Sequence, residues 1–131
     1  MFARKKQPPI KSLIAHGTRI EGNVRFSDGL RVDGEVVGDI RVHEERPSIL
    51  VISETAVIEG GVYADHIIVN GRITGAVHAR DLLELQPKAR IEGDVHYQAL
   101  EMHQGASIAG QLRPMGVPDD KPVLKLASNQ G

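Results

Sequence analysis

Ile58-Glu59-Gly60-Gly61-Val62, Ile73-Thr74-Gly75-Ala76-Val77 and Ile91-Glu92-Gly93-Asp94-Val95 are three copies of one short unit, and they decide the fold. The unit is aliphatic, any, Gly, any, aliphatic. It occurs three more times, as Ile20-Glu21-Gly22-Asn23-Val24, Val36-Val37-Gly38-Asp39-Ile40 and Ile108-Ala109-Gly110-Gln111-Leu112. Successive first positions are 16, 22, 15, 18 and 17 residues apart. The long interval holds His43-Glu44-Glu45-Arg46-Pro47-Ser48, which reads as a loop inserted between repeats.

A second series runs between the first: Leu30-x-Val32, Leu50-x-Ile52, Ile67-x-Val69, Leu83-x-Leu85 and Leu100-x-Met102, at spacings of 20, 17, 16 and 17. Short apolar alternations on a fixed beat are the mark of a stacked solenoid. Period-two alternation puts Ile, Gly and Val on one face and the charged residues on the other. The pattern lacks helical i, i+3, i+4 spacing and is rich in Gly, Val and Ile, which disfavours helix. The expectation is an all-β parallel β-helix of about six coils from residue 18 to residue 113. Each coil has two well-marked strands and a third, weaker one. Coils about 4.8 Å apart make a stub roughly 29 Å long. The six recurrent glycines predict a column of tight bends or close backbone approach. A left-handed hexapeptide helix fits poorly. Steps of six from Ile58 meet Ala64, Asn70 and Ala76, those from Ile91 meet Tyr97, His103 and Ala109, and the spacings are not multiples of six.

Composition agrees with a core of small pieces. Of 131 residues, 40% are hydrophobic but only 3% aromatic, and 14 are glycine. The absence of cysteine excludes disulfides, thiolate catalysis and Cys-type zinc sites. With 16 Lys+Arg against 17 Asp+Glu, the formal net charge of -1 argues against general nucleic-acid binding. The longest apolar run, Ile49 to Ile52, is far too short to span a bilayer, and prolines follow the basic N-terminus where a signal peptide would be apolar. A cytosolic protein is expected. Residues 1–17, basic and with Pro8-Pro9, and residues 114–131, with Pro114, Pro118 and Pro122, read as disordered tails flanking the array.

Few residues suggest chemistry. His78 and His96 fall in one outward column, Arg25, Arg41, Tyr63, His78, His96, Arg113, which lacks a third metal ligand and reads as a solvated basic and aromatic ladder. Glu21, Glu59 and Glu92, with Asp39 and Asp94 nearby, lie on a convex surface without the cleft that acid–base work needs. No phosphate-binding glycine loop or nucleophile elbow is present. No catalytic residue, metal or cofactor is therefore expected. A β-helix enzyme, either a hexapeptide-type acyltransferase or a metal-dependent hydratase using His78 and His96, stands as the alternative.

Three features point toward assembly. The first and last coils leave unpaired backbone groups, an invitation to another chain. Ile20, Val24, Phe26, Ile108 and Leu112 are the candidate residues for end-to-end contact, unless the tails fold over the ends. Such contacts along a straight axis propagate into a filament. At the N-terminus, Met1, Phe2, Arg4, Lys5 and Lys6 place an apolar tip before three cations. That is either a weak membrane anchor, strengthened by display along a polymer, or a plain basic tail. Alternation places Ile49, Val51, Ile68 and Leu82 outside, as a lateral patch or as core beneath another segment.

The repeats Ile58-Glu-Gly-Gly-Val62, Val69-Asn-Gly-Arg-Ile73-Thr-Gly-Ala-Val77 and Ile91-Glu-Gly-Asp-Val95, with the tail–core–tail layout and the basic Met-Phe start, resemble the bactofilins, bacterial cytoskeletal proteins. The resemblance covers about residues 14–113. It implies a right-handed, triangular β-helix that assembles into non-polar filaments without nucleotide. It further implies peripheral association with the inner face of the cell membrane through the N-terminus, and a scaffold for cell-shape, cell-wall or polarity proteins.

Overall fold

The computed structural model describes residues 8–43 and 47–115. The first two coils contain β1 (Ser12–Ile14), β2 (Arg19–Glu21), β3 (Val24–Phe26), β4 (Gly29–Val32), β5 (Glu35–Val37) and β6 (Ile40–Val42). Next come β7 (Ile49–Ile52), β8 (Val57–Glu59), β9 (Val62–Val69), β10 (Arg72–Thr74) and β11 (Val77–Leu85). The array ends with β12 (Arg90–Glu92), β13 (Val95–Met102), β14 (Ser107–Ala109) and β15 (Leu112–Pro114). Every pairing is parallel, between a strand and its counterpart one coil away. This is an all-β parallel solenoid of about six turns.

Three faces form the wall. β2, β5, β8, β10, β12 and β14 make the first, a six-stranded sheet. β3 and β6 continue into the opening halves of β9, β11 and β13 and into β15 to make the second. The third holds β1, β4 and β7 with the closing halves of the long strands. A break in register between Ala79 and Leu82 marks the corner between the last two faces.

The repeated unit is therefore not one strand, as alternation predicted. Its first aliphatic lies on the first face, its last on the second, and the glycine is the corner between them. That corner conceals the strand expected to be weak, and all three strands of a coil are well formed. The reason is local. Gly22, Gly38, Gly60, Gly75 and Gly93 have φ between +134° and +155°, outside strand conformation and strained for any side chain. The stack also needs the glycine, because a Cβ at Gly75 would run into the carbonyl oxygen of Gly60 one coil earlier.

The residue after the glycine has its own task. The Asn23 side-chain oxygen accepts from the Asp39 N–H at 2.9 Å, that of Asp39 from Gly61 N–H at 2.9 Å, and that of Asp94 from Gln111 N–H at 3.0 Å. These bonds satisfy corner amides that no ladder reaches, which explains Asn and Asp at that place in the unit. The Gln111 N–H also holds the Asp94 carboxyl below its ordinary pKa, helped by Arg113.

The interior is a set of aliphatic columns. Val36, Ile58, Ile73 and Ile91 stack behind the first face, Ile40, Val62, Val77 and Val95 behind the second. Leu30, Leu50, Ile67 and Leu83, with Val32, Ile52, Val69 and Leu85, stack behind the third. All are buried, so each coil's apolar surface is covered by the coils on either side of it.

The array starts earlier than the sequence pattern placed it. Ser12–Ile14, assigned to the N-terminal tail, pairs with Leu30–Val32, and Ile14 is buried in the core. Three residues with a single buried aliphatic carry too little periodicity to stand out beside Pro8-Pro9. The other boundary differs by one residue, since Pro114 ends β15. β6 ends at Val42 and β7 begins at Ile49, so the long repeat interval falls between strands.

Gly75→Ala should lower stability by more than Gly22→Ala. Gly22 has the same kind of φ but nothing within 4 Å of an added Cβ, so alanine there meets backbone strain alone, about 1–2 kcal/mol. Alanine at Gly75 adds the collision with Gly60. Thermal denaturation of the two variants tests this, and equal losses would show that the coil-to-coil approach is not what requires the glycine.

Candidate functional site

The ends of the solenoid differ from its middle. On the first coil β1, β2 and β3 have a neighbour on one side only, as do β14, β15 and residues 99–102 on the last coil, among the described residues. The large hydrophobics that are exposed among the described residues are Ile10 (47%), Leu13 (58%), Met102 (47%) and Leu112 (48%), and every one belongs to an end. Met102 is in register with buried Leu85, and Leu112 with buried Val95. They are core residues with no further coil to cover them.

The candidate end residues sit as follows. Ile20 and Val24 are half-buried and continue the columns of Val36 and Ile40. Phe26 is buried, yet it helps line a hollow of about 720 Å³ at the first coil with Ile14, Ile20, Val24 and Leu30. At the other end Ile108 is half-buried and Leu112 exposed. Together with Met102 and Ala106 they line a hollow of about 440 Å³. Sequence reasoning missed Leu13 and Ile14 by starting the array at Thr18. It also quoted Met102 in the second series without carrying it to the end surface. Extending each column to its last member would have found Met102. Residues Met1, Phe2, Arg4, Lys5 and Lys6 lie outside the described residues.

The outward ladder on the second face is in register as spaced: Arg25, Arg41, Tyr63, His78, His96, Arg113. Its middle is less solvated than expected. Tyr63, His78 and His96 are half-buried. Tyr63 and His78 stack at 5.0 Å between ring centroids and His78 and His96 at 4.0 Å, while the Arg41 guanidinium lies 3.9 Å from the Tyr63 ring centre. The two imidazoles are within 26° of parallel, so their in-plane lone pairs do not converge on one point as ligation by both would require. Burial pushes the His78 pKa below its ordinary value, and the charges of His96 and Arg41 act in the same direction.

Other titratable groups are dispersed. Glu21, Glu59 and Glu92 are exposed on the first face, but Val37 and Thr74 separate them in register, so no two form a pair. Glu84, Glu101 and His103 bring one potential ligand atom each to within 4.8 Å of one another. They form a trio near the last coil that the sequence series, read one column at a time, did not join. Ile49, placed outside by alternation, is buried between Gly29 and His66 in its column. At Gly29 the Pro9 and Ile10 backbone takes the place that a side chain would fill. Val51, Ile68 and Leu82 are half-buried.

The depressed His78 pKa sets a direction for stability. The folded state holds the imidazole neutral, so its contribution is present above about pH 6.5. It shrinks as pH falls from there through the lower folded-state value. The thermal midpoint should therefore drop between pH 7.5 and pH 5, and drop less in His78→Phe, which keeps a ring in the stack. An equal drop in both proteins would assign the pH dependence to other groups.

The profile of the bactofilin family, described as polymer-forming cytoskeletal, matches residues 12–113, from the first strand into the last. Bactofilin BacO of Myxococcus xanthus (strain DK1622) is 26% identical over 111 residues, which cover 85% of this chain and 85% of BacO. Bactofilin BacP of the same organism is 24% identical over 110 residues, covering 80% of this chain and 44% of BacP. A solved chain from the double helical filaments of Thermus thermophilus bactofilin is similar, with a TM-score of 0.70 and 27% identity over 78% of this chain and 97% of that one. With a matched span that takes in all six coils, the chain belongs to the bactofilin family of polymer-forming cytoskeletal proteins.

Proposed function

We infer that this protein is a filament subunit that joins end to end through its first and last coils, without nucleotide. One observation carries this reading: among the described residues, apolar columns that are covered throughout the solenoid break off uncovered at both ends, on Leu112 and Met102 and around the hollow lined by Ile20 and Val24. Placing another end against them removes apolar surface from water and extends the backbone ladder in one step. That gain is available at rest, so assembly needs no hydrolysis to drive it. The role is mechanical. The enzyme alternative that relied on His78 and His96 is weakened because those rings stack face to face.

The polymer associates with the inner face of the cell membrane through Met1, Phe2, Arg4, Lys5 and Lys6, and recruits cell-shape, cell-wall or polarity proteins. Support for the anchor is the sequence of the tip together with family membership. Each cation beside an anionic leaflet contributes about 1 kcal/mol, a weak attachment singly and a firm one when repeated along a filament.

Electron microscopy of the purified protein with no nucleotide should show filaments. Leu112→Arg should abolish them while moving the thermal midpoint by only a few degrees, because that side chain is already half exposed. Normal filaments from this variant would remove the last coil from the polymer contact. Deleting residues 2–6 should leave assembly intact and abolish co-sedimentation with anionic liposomes. Undiminished co-sedimentation would defeat the anchor.

A further inference from the structure

On the third face, near the end of the stack, Glu84 and Glu101 lie in register on the paired strands β11 and β13. His103 follows two residues after Glu101, so alternation returns it to the same outward side, past Met102 in the core column. The His103 N–H donates to the Leu85 carbonyl at 2.9 Å, which fixes the backbone at that point. One ligand atom from each of Glu84, Glu101 and His103 falls within 4.8 Å of the others. Glu84, the central member, has a side chain only 22% exposed, and its carboxylate is held in place. The Gln86 amide donates to Glu84 Oε2 at 2.5 Å, and His103 Nε2 stands 3.8 Å from the same oxygen. His66 Nε2, one coil earlier, stands 3.9 Å from Oε1. The charge there is not balanced by fixed cations. Carboxylates facing one another across paired strands repel, and among the described residues no Arg or Lys forms an ion pair with Glu84 or Glu101. Lys88, four residues beyond Glu84, is drawn to Glu54 at 3.0 Å instead.

We propose that Glu84, Glu101 and His103 bind one divalent transition-metal ion, Zn2+ by the chemistry of the donors, and that the ion ties β13 to β11. Two carboxylates alone would make an acidic pair. The imidazole supplies the third corner, and a mixed nitrogen and oxygen set favours Zn2+ over the oxygen-seeking Ca2+ and Mg2+. Bonds of about 2.0–2.2 Å put ligand atoms around a tetrahedral ion roughly 3.4 Å apart. The trio therefore closes by side-chain adjustment alone, at Glu101 and His103, which are exposed and unconfined. Glu84 needs little adjustment, because Gln86 already orients it, as outer partners do for metal-ligating carboxylates. The ion would remove the repulsion between the two facing carboxylates and add a cross-link to a strand whose residues 99–102 are paired on one side only. Binding to the folded chain then raises its stability by mass action. The donors lie on the outward side of the third face, so the site does not depend on end-to-end contact and stands or falls separately from it.

Zn2+ titrated into the untagged full-length protein and followed by calorimetry should bind at one ion per chain. Gln86→Ala should weaken binding about tenfold, and Glu101→Gln or His103→Gln by more. Saturating Zn2+ should raise the thermal midpoint of the parent protein and leave that of Glu101→Gln unmoved. Glu101 and His103 are exposed, so these variants should fold as the parent does without metal. His96→Gln, on the second face, should bind as tightly as the parent. Absence of one-to-one binding would overturn the proposal, as would undiminished affinity in Glu101→Gln and His103→Gln. Loss of binding in His96→Gln would move the ion to the outward ladder and overturn it too. So would displacement of Zn2+ by equimolar Ca2+, which would reduce the site to a pair of carboxylates.

Discussion

Every coil of this solenoid depends on the coil on either side of it. A single turn of three short strands makes almost no hydrogen bonds within itself and buries little. Its amides, carbonyls and aliphatic side chains are satisfied by the turns above and below. That dependence sets the register of all three faces at once. A shift of one residue on any face would exchange buried Ile and Val for outward Glu and Arg. It also makes an isolated stack unfinished by construction, because the end coils meet the requirement on one side only. The half-exposed Leu112 and Met102, in register with buried Val95 and Leu85, are the direct record of this.

The same dependence organises the corners. Where the backbone turns, the ladder cannot supply a partner, and two devices replace it. Glycine lets consecutive coils approach backbone to backbone, and Asn or Asp in the next position passes a side-chain acceptor to the following coil. Gly61 and Ala76 occupy that second position in the middle of the array and carry no such acceptor. The acceptor ladder is therefore interrupted there, while the glycine column is continuous. Close approach of the coils is the stricter demand, and the capping hydrogen bond is an addition to it.

What could be read from the residues follows from which constraint each one records. Coil count, inward columns and the Arg25-to-Arg113 ladder were legible because stacking converts a spacing of 15 to 22 residues into contact, whatever the loop length. The path inside a coil was harder. Ile-x-Gly-x-Val alternates as a strand does, and only the positive φ at glycine divides it between two faces. The first turn was hidden because Ser12–Ile14 contributes a single buried side chain. The stacking of Tyr63, His78 and His96 was visible as adjacency, but its partial burial was not. Burial there depends on packing across the corner, where periodicity says nothing.

The scarcity of aromatic residues has a structural counterpart. Inside the second face, Phe26 lies over Val42 near the first coil and Tyr97 lies in register with Pro114 near the last. Between them the inward positions shrink to Ala64 and Ala79. Large side chains thus stand near the ends, and alanine occupies the middle, where neighbouring coils fix the space on both sides. The groove with Arg41, Tyr63 and His78 opens beside Ala64. Filling it with a larger side chain at Ala64 would work against the coil spacing that the glycines impose. A solenoid with narrow, regular coils thereby leaves a lateral recess in the middle of the stack, away from both ends.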